Sequence, residues 1–133
     1  MSISLDEIEI ELCKHLESMD DAPAIAWQNK DIDPARPFLA ADHVPGSRTD
    51  PTLDGTAETV TGQFMVYVVI NGGTFTKPAN LLADKVMQRF KYRTLISLAE
   101  GGILIVKPPE ALPGYRDGPD WRVPVRIDYE IQT

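Results

Sequence analysis

The chain of 133 residues contains one cysteine, Cys13. No internal disulfide can form, a pattern that suits a reducing compartment. No apolar stretch reaches the roughly 18 residues of a membrane span, and the start carries no apolar leader region, so neither membrane nor secretion is expected. Positive charge is also in deficit overall. The formal net charge is −7, a poor basis for non-specific nucleic-acid binding, which needs grouped Lys and Arg against phosphates. Glycine patterns that cradle phosphates, G-x-x-x-x-G-K-[ST] and G-x-G-x-x-G, are absent, and so is G-x-S-x-G. His15 and Cys13 lie two apart on a helical stretch and point in different directions, which disfavours a metal pair. His15 is expected on the surface and Cys13 at the core edge, with nothing nearby to lower the thiol pKa. Asp31 and Asp33 lack the EF-hand pattern. No catalytic, cofactor-binding or metal residue is expected, and no enzyme.

What is present is organised around residues 55–90. Gln63 to Ile70 (QFMVYVVI) is rich in β-branched and aromatic residues and reads as a strand. Phe64, Val66, Val68 and Ile70 point one way; Gln63, Met65, Tyr67 and Val69 point the other. The second set is only partly polar, so a central strand is expected, covered on both faces by the protein's own helices or by a neighbouring subunit. Asn71-Gly72-Gly73 ends it, since glycine takes positive φ cheaply. Pro78 suits the first turn of a following helix, whose apolar face is Ala79, Leu82, Ala83, Val86, Met87 and Phe90.

Upstream, residues 4–19 predict a helix opened by a Ser4/Glu7 capping box, with Leu5, Ile8, Leu12, Leu16 and Met19 on one face. Short strands are expected at 24–27 and 38–43, joined by a turn-rich link. Residues 44–58 show no periodicity and predict a long loop, read as an arm that orders on contact with a partner. Downstream, 94–98 and 103–106 predict short strands, and Pro113-Gly114 and Gly118-Pro119 bracket a polar loop. Residues 121–131 alternate fully, with an edge position favoured because Pro124 cannot donate a ladder bond. The fold class is α+β: a mostly antiparallel sheet of about four to six strands, two main helices packed on it, and a long flexible hairpin loop, all in one domain. Charge is uneven: residues 1–21 are acidic, while 85–93 carry Lys85, Arg89, Lys91 and Arg93 without an acid.

The run of residues 24–46 followed by the 62–90 strand–turn–helix resembles the tail terminator family of long-tailed bacteriophages. The resemblance lies in Trp27-Gln28-Asn29, Pro34, Pro37-Phe38, Pro45, the strand from Gly62, and the helix with Ala79, Leu82-Ala83 and Phe90. Asn71 stands where the family often has proline. The resemblance implies a structural virion protein at the head-proximal end of the tail. It would form a homohexameric ring that caps the tail tube, stops its polymerisation and joins the head connector or stopper protein. DNA would pass only as cargo through the lumen; no cofactor and no membrane are implied. Candidate subunit and tube contacts are Arg48, Asp50, Asp54, Met65, Tyr67, Arg89, Lys91, Arg116 and Asp117. The alternatives are a head-completion or stopper protein of the same joint, or a small cytosolic α+β ligand-binding or enzymatic domain.

Overall fold

The computed structural model describes residues 4–28, 30, 33–49, 58–99 and 101–132. In chain order they form α1 (Leu5–Glu17), β1 (Ile25–Trp27), β2 (Phe38–Thr49), β3 (Thr59–Asn71), α2 (Lys77–Arg89), β4 (Leu95–Leu98), β5 (Gly101–Ile105), β6 (Glu110–Ala111), β7 (Tyr115–Asp117) and β8 (Asp120–Gln132). The strands make one sheet of eight in the order β1-β2-β3-β8-β5-β4, with β6 and β7 also paired to β8. The sheet is mixed: β1 runs parallel to β2, and the remaining pairings are antiparallel. The class is α+β, with more strands than the four to six expected.

Helix α1 begins where the sequence places it. Ser4 caps it, its Oγ accepting from the Glu7 N–H at 3.3 Å, a bond worth ~1 kcal/mol. The Glu7 carboxylate does not close the box. It reaches across to accept the Ala99 N–H at 2.8 Å, pinning α1 to the chain after β4. Ile8, Leu12 and Leu16 are fully buried, while Leu5 is exposed. Helix α2 has Pro78 in its first turn and no side-chain cap from Thr76. Its buried face is Ala79, Ala83, Val86 and Phe90, with Leu82 and Met87 partly buried against the core.

Both helices lie on the β3 face that carries Phe64, Val66, Val68 and Ile70, which joins Val125, Ile127 and Ile131 of β8 in one core. Strand β3 is central, between β2 and β8.

Three expectations are corrected. First, β8 is not at an edge. It pairs with β3 along its whole length and with β5, β6 and β7 on its other side. Pro124 is tolerated because its backbone faces the break between β6 and β7. Its carbonyl accepts the Leu112 N–H there at 2.8 Å. The N and O of a strand residue point the same way, so the missing N–H leaves the β3 ladder whole. Second, residues 44–49, expected in the loop, continue β2 against β3. A register shift between Pro45 and Arg48 breaks the period-2 pattern there, which hides the strand from the sequence. The rest of the expected arm, residues 50–57, lies outside the described residues. Third, the polar loop expected between Pro113-Gly114 and Gly118-Pro119 holds the short strand β7, and a second short strand, β6, precedes it.

Phe38 and Val69 are buried on the face away from the helices. Arg36 covers that end, with its Cζ 5.1 Å from the Phe38 ring centroid. It donates to both carboxylate oxygens of Asp120, each at 2.9 Å, and to Asp33 at 2.6 Å. Arg36 holds the Asp120 carboxyl below the usual carboxylate range. This bidentate pair ties the turn before β2 to the start of β8.

Candidate functional site

Alternation along the strands decides what each sheet face shows. The helices cover one face. The opposite face has no second layer among the described residues. Registered side by side on it are Ala40 and Asp42 of β2, Tyr67 and Met65 of β3, and Pro124 and Arg126 of β8. Met65 and Tyr67 are half-buried here, where Val68 and Val66 on the helix side are fully buried. Burial, and then the nearby Asp42, raise the Tyr67 phenol above its ordinary pKa, so Tyr67 remains a neutral donor at the centre of an apolar strip.

Charged residues frame this strip. Arg122 Nε lies 2.9 Å from Asp117 Oδ2, and Arg126 pairs with Glu110 and, at 3.8 Å, with Asp128. Neither Arg122 Nε nor Arg126 Nε makes a hydrogen bond of good geometry, although both are shielded from solvent. Pairs this exposed contribute ~0–1 kcal/mol each. The arrangement is a partly apolar centre with a charged rim. Among the described residues, no three His, Cys, Asp or Glu side chains stand close enough to hold a metal ion.

The structure does not bring the sequence-predicted contact residues together. Met65 and Tyr67 are central to the open face, and Asp117 stands at its end. Arg116, beside Asp117 on β7, donates instead to the Gly118 carbonyl at 3.0 Å. Arg48 lies far along β2 and pairs with Glu58. Asp50 and Asp54 fall outside the described residues. Lys91 is exposed beyond the end of α2.

Arg89 bridges α2 to the end of α1. Its Nε donates to the His15 carbonyl at 2.8 Å, and its Nη2 donates to Ser18 Oγ. In return, the His15 Nε2–H donates to the Arg89 carbonyl at 2.8 Å. His15 is therefore half-buried against Phe90, at 4.9 Å between centroids, rather than on the surface. Reversing charge at Arg89 would test the fold; reversing it at Lys91 tests a contact. Cys13 does lie at the core edge, and burial, then Glu9, pushes its thiol up to about 11.

Sequence reading missed a buried polar pair. Tyr129 of β8 crosses over Gly62 of β3 and meets His43 of β2, with 2.5 Å between Oη and Nε2. Glu9 lies 3.6 Å from His43 Nδ1. The carboxylate draws the ring proton to Nδ1, so the phenol donates to Nε2. Burial pushes the Tyr129 phenol up to about 12. The alternation of residues 121–131 did put Tyr129 on the apolar face, but its pairing with His43 joins residues 86 apart in the chain.

Burial holds both histidines below their ordinary pKa. Above pH ~7 they are neutral folded and unfolded, and contribute no pH dependence. Below ~6.5 the unfolded chain takes up protons that the folded chain resists, so stability falls with pH. The thermal midpoint is expected to be lower at pH 5.5 than at pH 7.5, and the drop to be smaller in His43→Gln. A flat wild-type profile over that range would refute this.

Compared with known proteins, the chain matches the family described as phage tail terminator protein over residues 7–129. No curated protein matches it. One solved chain superposes with a TM-score of 0.80 at 22% identity, covering 99% of this chain and 98% of that one. Another, from the virion of a native gene transfer agent particle, superposes with a TM-score of 0.64 at 12% identity, covering 96% of each. At these identities the two structures speak for the fold.

Proposed function

The chain belongs to the phage tail terminator family, and from that premise we propose that it closes the head-proximal end of the tail tube as a ring of six copies. It is a structural component of the virion tail and assembles with other tail components; the family is structural, not enzymatic. In the proposed role the ring stops addition of tube protein on one side and receives the head connector on the other. DNA passes through the lumen, and the net charge of −7 keeps the phosphate backbone from adhering.

The observation that carries the reading is the uncovered sheet face around Met65 and Tyr67. An apolar strip on a central strand, left open in the single chain, supplies the area that an assembly contact needs. A ring requires a heterologous interface whose rotation closes, with roughly 800 Å² buried per partner. Tyr67, Met65 and Asp117 are the contact residues the proposal retains on this face; Arg48, Arg116 and Lys91 lie elsewhere on the molecule and are not part of it.

The test is solution mass by light scattering with electron microscopy, alone and with the tube protein. Six-fold rings, alone or on tube ends, together with a limit on tube length, are expected. A strict monomer under both conditions, with tube growth unaffected, would overturn the proposal.

A further inference from the structure

We infer that neighbouring copies of this chain lock together by inserting Phe75 of one copy into the cavity between α1 and the β1–β2 side of the next. This rests on the ring reading above. Phe75 sits in the turn between β3 and α2 and is 88% exposed, the most exposed of the large apolar side chains among the described residues. The turn itself does not need an aromatic. It is held by Gly73 at φ 78° and by Thr74 Oγ1 donating to the Asn71 carbonyl at 2.8 Å.

The cavity has a volume of about 220 Å³ and is lined by Ile10, Cys13, Trp27, Ala41 and Phe64 together with the polar Glu9, Gln28 and His43. That is below the roughly 300–1,000 Å³ of small-molecule sites and of the scale of one aromatic side chain. Ile10, on its wall, is 43% exposed, so the cavity opens to the surface.

The charges agree. Lys77, two residues from Phe75, is exposed and has no ion pair among the described residues. Glu9 lines the cavity, and Asp6 and Glu17 lie farther along the same helical face as Ile10 and Cys13. An aromatic knob thus arrives beside a cation, and its socket carries one carboxylate on an acidic helix face. Knob and socket belong to different parts of one chain. The contact is therefore heterologous and repeats from copy to copy, as a closed ring requires. A buried aromatic anchor of ~150–250 Å² would be its energetic centre.

The native cysteine supplies the test. Phe75→Cys places a second thiol where docking would bring it to Cys13 of the next copy. Under the conditions in which the ring forms, mild oxidation of F75C is expected to give covalent trimers and higher species. The F75C/C13S double variant is expected to stop at dimers. Phe75→Glu, at an exposed position, is expected to leave the thermal midpoint unchanged while weakening subunit association at least roughly 30-fold. If rings persist in F75E and oxidised F75C stops at dimers, this inference falls and the ring reading stands. If F75E rings persist and Ile10→Arg loses only tube-protein binding, the cavity belongs to the tube protein and the inference is overturned. If wild-type rings form under no condition, the ring reading falls and takes this inference with it.

Discussion

Gly62→Val is expected to destabilise the protein far more than an ordinary glycine replacement in a strand. A Cβ at Gly62 would fall on the Tyr129 ring, 2.6 Å from Cζ and closer still to the hydroxyl. The ring cannot retreat cheaply, because Tyr129 is 1% exposed and its hydroxyl is held by His43. Two costs therefore add. Overpacking in a closed core costs ~1–3 kcal/mol. Loss of the buried hydroxyl–imidazole bond costs ~1–3 kcal/mol more, because His43 is left without its partner. The measurement is denaturant unfolding of G62V, Y129A and the double variant. Removing the ring makes room for the valine, so the double variant is expected to be less destabilised than the sum of the two singles by at least ~1 kcal/mol. Strict additivity would show that the ring and the glycine are not in conflict. The same geometry explains the glycine within the central strand: the tyrosine of β8 can cross β3 to reach β2 only where β3 has no side chain.

Phe90→Ala is expected to cost ~3–5 kcal/mol, a large share of the ~5–15 kcal/mol that holds a domain of this size. Phe90 ends α2 and is fully buried, with Phe64 of β3 at 5.7 Å and His15 of α1 at 4.9 Å between centroids. It is the point where both helices and the central strand meet. Its loss leaves a cavity that three elements would have to collapse to fill. It also exposes His15, whose burial holds its pKa down. F90A is therefore expected to show a lower denaturation midpoint with an unchanged slope, and a His15 pKa closer to 6.5 by NMR titration. Phe90→Leu, which keeps most of the volume, should lose less than half as much. An F90A midpoint within experimental error of the wild type would mean that α2 does not depend on this contact.

These two residues also mark how far the sequence could be read. Phe90 was legible as the last apolar position of the helix, and Gly62 was read as the start of a central strand that in fact begins at Thr59; what each touches was not legible. His15 was misjudged because a helix periodicity says which way a side chain points, not that a second helix will arrive there with Arg89. The open face was half legible. The alternation showed Met65 and Tyr67 pointing away from the core, while their neighbours Asp42, Pro124 and Arg126 come from strands distant in the chain. Of the expected contact residues, only Met65, Tyr67 and Asp117 share this surface.

By itself the sequence determined the α+β class, both helices with their buried faces, the central strand, the Ser4 cap and the kinship with tail terminators. Each rests on residues close together in the chain, where period, turn chemistry and capping act locally. Only the tertiary structure decided that β8 is interior, that β2 runs on to Thr49, that Arg36 clasps Asp120, and that one sheet face is left open. Those outcomes depend on which strand lies beside which. That choice is made by burial and by backbone pairing over separations such as the 84 residues between Arg36 and Asp120, where local pattern carries no information.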